Sequence, residues 1–215
     1  MKLYSYFRSS AAYRVRIALN LKGLDYDIVP VHLLKDGGQQ LSTEYRALNP
    51  TALVPTLAED GWAVGQSMAI VEYLDETHPE PPLLPRDPKE RARVRAIAQS
   101  IACDIHPLNN LRVLKYLKRT LGVSEEAKNA WYRHWVEEGL AALETLLARS
   151  PETGRYCHGD TPTMADLCLV PQMANARRFN CSLDACPTLV RIDAACAELD
   201  AFRQAAPDRQ PDSEG

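Results

Sequence analysis

Five prolines fall in the ten residues from Pro79 to Pro88. Each proline ring removes a backbone N–H and fixes φ, so this segment forms neither a regular helix nor an interior strand. The chain must therefore fold as two parts joined here. Residues 1–80 are predicted as one domain, 81–88 as the linker, 89–206 as a second domain and 207–215 as a tail.

Upstream of the linker the apolar pattern alternates between period 2 and period 3.6, the signature of a mixed α/β unit. Lys2 to Phe7 reads as a strand and Ser10 to Leu21 as a helix with Val15, Ala18, Leu19 and Leu21 on one face, stopped by Gly23. Asp27 to Leu33 is β-rich, and Asp36-Gly37-Gly38 breaks the chain before a short helical stretch around Ser42 to Ala47. Thr56 to Ala58 and Trp62 to Val64 flank Glu59-Asp60-Gly61, where Asp-Gly is a strong hairpin signal. Ser67 then opens a helix that ends at His78-Pro79. The predicted order is βαβ(α)ββα.

Downstream everything reads as helix: Lys89 to Asp104, Asn109 to Thr120, Ser124 to Arg149, Thr163 to Phe179 and Thr188 to Ala205. Trp131, Trp135, Leu143 and Leu147 fall at helical spacing, as core packing requires. Thr163-Met164-Ala165-Asp166 has the spacing of a capping box, with Asp in place of Glu or Gln, and reads as a folding signal. Pro207 to Gly215 is polar and lacks an apolar anchor, so a frayed tail is expected.

The net charge of −3 supplies no basic field for a polyphosphate, which argues against a nucleic-acid partner. No apolar run approaches the ~20 residues that span a bilayer, and the first residues lack the apolar core of a signal peptide, so no membrane partner and a cytoplasmic location are expected. The six cysteines show no metal-ligand or Cys-x-x-Cys spacing and read as small buried hydrophobes; no metal is expected.

Candidate chemistry sits at helix starts. Arg8-Ser9-Ser10 lies where the first strand meets the first helix, beside unpaired N–H groups and the positive end of the helix dipole. A hydroxyl there can donate to a thiolate, although capping the helix is the plainer reading, and two serines allow both roles. Gln66-Ser67 opens a second helix and offers N–H and hydroxyl donors to a carboxylate. Two such N-termini in one small domain can hold one anionic peptide. In the second domain, the block from Asp104 to Arg112 interrupts a helix with His106, Pro107, Asn109, Asn110 and Arg112 and is a candidate for facing a cleft. His106 alone reads first as a surface or hydrogen-bonded residue, and Arg177-Arg178 as cations complementing a helix C-terminus.

Taken together, Leu3 to Ser10 followed by Tyr13-Arg14-Val15-Arg16-Ile17-Ala18-Leu19 resembles the signature of the zeta-class glutathione transferases. The likeness continues through Lys35 to Gln40, Leu48-Asn49-Pro50, Val54-Pro55-Thr56-Leu57, Gln66-Ser67 and Thr163 to Gln172, almost the whole chain. The resemblance implies a thioredoxin-like N-terminal domain with an all-helical C-terminal domain, a cis peptide at Val54-Pro55 and a homodimer. It makes glutathione the cofactor and a small dicarboxylate the substrate. The implied reaction is cis–trans isomerisation of maleylacetoacetate by reversible thiolate addition to the conjugated double bond. Isomerisation of maleylpyruvate, or conjugation or dehalogenation of small electrophiles, are the alternatives.

By the same resemblance Ser9 is the thiol-activating residue, with Ser10 and Arg14 in the same catalytic segment. Ser9, Ser10, Gln40, Val54, Gln66, Ser67, His106, Asn110 and Arg112 are implied to hold glutathione. Arg8, Arg112 and Arg178 are the candidates for the substrate carboxylates and the enolate formed on addition, since a planar guanidinium suits both. The family loop usually reads Ser-Ser-Cys, whereas Ala11 stands at the third position here. Chemistry that needs a protein thiol there is excluded; chemistry on glutathione's own sulfur is not.

Overall fold

In the computed structural model, which describes residues 1–214, β1 (Lys2–Ser5) pairs in parallel with β2 (Asp27–Pro30) and antiparallel with β3 (Thr56–Glu59). β3 pairs antiparallel with β4 (Trp62–Gly65), giving a four-stranded sheet of order β2-β1-β3-β4. The parallel pair is joined through α1 (Ser10–Leu21), and α2 (Thr43–Leu48) and α3 (Ser67–Thr77) complete the βαβαββα order. Asp60 and Gly61 both have positive φ, 49° and 81°, the backbone that a two-residue hairpin of matching twist demands. The strands β1 and β2 stop earlier than the apolar pattern runs: Tyr6, Phe7 and Val31 instead form a buried cluster with Tyr45 and Val54. The Val54-Pro55 peptide is cis.

This first unit comprises Met1–Leu83 and also the chain from Ala197 onward. Here the expected boundaries are corrected. The single helix expected over 188–205 is broken into α9 (Pro187–Ala197) and α10 (Asp200–Ala205), and α10 packs with the thioredoxin-like unit. Phe202 is buried, its carbonyl accepts from the Tyr13 hydroxyl at 3.3 Å, and the Ala205 carbonyl accepts from Arg16 Nε at 2.9 Å. Nor does the tail stand frayed: Gln210 is buried and donates from Nε2 to the carbonyls of Gln204 and Ala206, both at 2.9 Å. Asp212 and Glu214 bond to residues near the N-terminus. The contacts to Tyr13, Arg16, Phe7 and His32 join residues 182 to 205 positions apart, so no local periodicity announces them. Gly215 lies outside the described residues.

The second unit, Leu84–Cys196, is helical. Asp87 caps α4 (Pro88–Gln99) by accepting from the N–H groups of Lys89 and Glu90. A π-helical turn, Ser100–Ile105, follows and leads into α5 (His106–Asn109) and α6 (Leu111–Arg119). Gly139 makes room for the turn, because a Cβ there would lie 2.4 Å from Ile105 Cγ1. In α7 (Glu125–Ala148) the deepest stripe is Tyr132, Val136, Leu140, Leu143 and Leu147; Trp131 and Trp135 flank it half-buried and meet edge to face. Five of the six cysteines are buried and Cys103 is exposed.

α8 (Met164–Arg178) begins at the expected capping box, and its capping carboxylate also serves a loop. Asp166 is fully buried; Oδ2 accepts from Thr163 N at 2.7 Å and Thr163 Oγ1 at 3.0 Å, and Oδ1 from Cys157 N at 2.8 Å. Burial pushes the Asp166 carboxyl above the usual range, and these hydrogen bonds oppose that shift. Removing the carboxylate strands buried N–H groups in both the helix and the loop. Asp166→Ala should therefore cost about 3 kcal/mol in urea unfolding, and a loss below ~1 kcal/mol would contradict this role.

Candidate functional site

Eight of the sequence-predicted residues lie in the first unit: Arg8, Ser9, Ser10, Arg14, Gln40, Val54, Gln66 and Ser67. Ser9 is the N-cap of α1, with extended backbone (φ −73°, ψ 113°) and Oγ accepting from Ala12 N at 3.2 Å. The two readings of this serine are thus compatible, because a hydroxyl that accepts through a lone pair still has its own hydrogen to donate. Ser10 is buried as the first residue of the helix. No acidic residue lies in the first turn of α1 to neutralise its positive end. The Arg8 guanidinium sits 4.7 Å above the Phe7 ring.

Arg14, one turn further on, is 2% exposed. Its Nη1 donates to Ser67 Oγ at 3.2 Å, and neither Nε nor Nη2 has a partner among the described residues. The bond ties α1 to the start of α3. That start is unusual in two respects. Gln66 precedes it at φ 68°, a conformation a non-glycine residue rarely adopts, and no side chain caps the helix. A helix N-terminus without a side-chain cap, with a buried guanidinium behind its first residue, has the donors and the positive field that suit an anion. As the Ser67 oxygen accepts from Arg14, its own hydrogen is left to donate to a different group.

Two neighbours shape the rest of this unit's site. Gln40 is buried, its Oε1 has no partner among the described residues, and its amide lies close to Gly38. Gly38 has φ 116°, a conformation that L side chains rarely adopt. The backbone around Val54 is held by two residues to which the sequence reading gave no role in the site. Leu53 O accepts from Tyr45 Oη at 2.6 Å and from Asn49 Nδ2 at 3.0 Å, and Thr56 Oγ1 lies 2.9 Å from each of the same atoms.

In the second unit His106, Asn110 and Arg112 are brought together by the chain that follows the π turn. Asn110 caps α6, Oδ1 accepting from Arg112 N at 3.1 Å, while Nδ2 lies 3.5 Å from His106 Nε2. Asn109, which the sequence marks only as a member of that block, is 7% exposed with neither side-chain polar atom partnered among the described residues. Trp131 Nε1 donates to Leu108 O at 2.9 Å and fastens this block to α7. Arg178 stands apart from the block, at the end of α8. It is exposed, its guanidinium 5.2 Å from the Phe179 ring, which stacks on Tyr132. Both Arg177 and Arg178 lie in the last turn of α8, as cations complementing a helix C-terminus should, and Arg177 also pairs with Asp193 at 2.6 Å.

The chain matches the family descriptions Glutathione S-transferase, N-terminal domain over residues 3–82 and Glutathione S-transferase, C-terminal domain over residues 126–208. It is 52% identical to a maleylacetoacetate isomerase of Rattus norvegicus, over 98% of this chain and 94% of that protein. A holo structure of a bacterial maleylpyruvate isomerase, described as a zeta-class glutathione S-transferase, shares 52% identity with a TM-score of 0.96, covering 99% of this chain and all of that one (100%). The maleylacetoacetate isomerase of Methylobacterium extorquens AM1, solved with malonate and glutathione, matches with a TM-score of 0.96 and 42% identity, each chain being covered in full (100%). With both domains matched in order and relatives this similar over their whole length, the chain belongs to the glutathione transferase family, in its zeta class.

Proposed function

We propose that this protein is a glutathione-dependent cis–trans isomerase of maleylacetoacetate. The observation that carries the reading is the Arg14–Ser67 bond, which joins the starts of two helices in one unit and leaves a buried cation beside an uncapped N-terminus. A peptide with a thiol and two carboxylates suits such a pair of sites. The residues present fit glutathione on that ground. Relatives with this architecture carry isomerase names, and one was solved with glutathione. A maleylpyruvate substrate is the second reading, because the two names occur at the same identity, 52%.

Bound glutathione supplies a thiolate that adds reversibly to the conjugated cis double bond, allowing rotation before elimination. The protein's part is to make that thiolate available at neutral pH. A thiol of pKa near 8.5 is only about 3% ionised at pH 7, and lowering it by ~2 units raises this to roughly three-quarters for about 2.7 kcal/mol. The Ser9 hydroxyl, donating at the positive end of α1, supplies part of that stabilisation. Ser67, its oxygen held by Arg14, directs its hydrogen to a carboxylate, and Gln66, Gln40 and the Val54 backbone complete the peptide contacts in this unit. His106, Asn110 and Arg112 are assigned to glutathione from the second unit. Arg8, Arg112 and Arg178 hold the substrate carboxylates and offset the negative charge that develops on addition.

A homodimer and a cytoplasmic setting accompany this reading, supported by family membership. No helix among the described residues is long and apolar enough to cross a membrane.

Ser9→Ala should raise the titration midpoint of the bound glutathione thiol, followed by thiolate absorbance, and lower kcat by about tenfold or more with little change in glutathione affinity. Unchanged titration and turnover would remove Ser9 from the chemistry; the effect appearing in Ser10→Ala instead would exchange the two serines. Arg178→Ala should raise KM for the dicarboxylate at least about tenfold while sparing glutathione binding. Equal loss of both affinities would contradict its placement on the substrate side.

A further inference from the structure

The loop that carries Arg8 and Ser9 begins where the sheet ends. β1 pairs with β2 as far as Ser5 and with β3 as far as Tyr4, so Phe7 lies beyond both ladders. Phe7 is nevertheless 4% exposed, and a buried amide without an acceptor is costly. Its acceptor comes from the other end of the chain: Phe7 N donates to Asp212 Oδ2 at 3.0 Å. On the opposite side of the same residue, Phe7 O accepts from Arg16 Nη2 at 3.1 Å, while Arg16 Nε holds Ala205 O and Nη1 holds Ser5 Oγ. Both polar groups of the Phe7 backbone are thus fixed by charged side chains.

The C-terminal segment is itself anchored on both sides of Asp212. Gln210 bonds to the end of α10, and Glu214 lies 2.8 Å from Lys35 Nζ and 3.2 Å from His32 Nε2. His32 Nδ1 accepts from the N–H groups of Leu34 and Lys35, which leaves the ring hydrogen on Nε2 to donate to Glu214. The His32 ring in turn packs edge-on against Tyr6, the residue before Phe7. Two of these anchors reach the stretch that leads into Arg8 and Ser9: Asp212 bonds to Phe7, and Glu214 holds the His32 ring that packs on Tyr6.

We propose that Asp212 is a positioning residue for the glutathione site, fixing through the Phe7 amide the loop that presents Arg8 and Ser9. The proposal rests on the functional reading of that loop given above. A shift of Phe7 moves both functional groups: the Arg8 guanidinium lies over its ring, and Ser9 N is bonded to Tyr6 O at 2.9 Å. Among the described residues the Phe7 amide has Asp212 as its acceptor, so the C-terminal segment helps to shape this loop.

The test compares Asp212→Ala with Asp212→Asn, whose amide oxygen can still accept from Phe7. In the protein without glutathione, amide hydrogen exchange at Phe7 should quicken about tenfold or more in D212A and stay within about threefold of wild type in D212N. With glutathione added, the thiol should titrate at higher pH in D212A than in wild type, and in D212N close to wild type. Thermal melting and exchange in β3 and α3 separate a local loosening from general destabilisation. Unchanged Phe7 exchange in D212A overturns the contact. Faster exchange with an unchanged thiol titration overturns the positioning role alone. Absence of a thiolate signal from the wild-type protein itself contradicts the glutathione reading, and the role assigned to Asp212 falls with it.

Discussion

Arg16 holds the first unit together at the point where chemistry is expected. Its guanidinium is fully buried, and burial lowers its pKa to about 10, so it still carries its charge at neutral pH. Bringing a cation into the interior is unfavourable unless its donors are satisfied. Here Ser5 Oγ and the carbonyls of Tyr6, Phe7 and Ala205 satisfy them. One side chain therefore joins the end of β1, the loop before α1 and the last long element of the chain. The position of Ser9 at the mouth of α1 follows from that junction.

Arg14, two residues earlier, is buried for a different end. Among the described residues its side chain bonds to Ser67 alone and two of its nitrogens have no partner, so it has donors to spare where those of Arg16 are taken. An uncompensated buried cation is tolerated in a folded protein when a ligand is there to meet it. The pair illustrates how one helix can build a scaffold and a binding site from the same residue type. What distinguishes them is whether the protein or a ligand supplies the acceptors.

Much of this was legible in the sequence, for physical reasons that can be named. The proline cluster, the Asp-Gly hairpin, the starts of α1 and α3 and the Thr163–Asp166 box are local signals, each set by a few neighbouring residues. What stayed hidden is non-local. Arg14 and Arg16 carry no mark of burial, because α1 is covered almost all round and an apolar-face count leaves both arginines on its polar side. The C-terminal segment, polar and broken by Pro207 and Pro211, has the composition of a loose end; its partners Phe7, His32 and Lys35 lie at the other end of the chain. Whatever depended on a few adjacent residues could be read, and whatever depended on chain closure could not.

The central claim is that the first unit ionises glutathione for a reaction that returns it unchanged. Its most direct test is a mass balance. Purified protein, a small fixed amount of glutathione and a large excess of maleylacetoacetate, or in parallel maleylpyruvate, are followed by mass spectrometry until substrate is exhausted. The account predicts many substrate molecules converted to the trans isomer per glutathione, with the glutathione recovered and no thioether accumulating. One glutathione conjugate formed for each substrate lost, or full conversion with glutathione omitted, would contradict it.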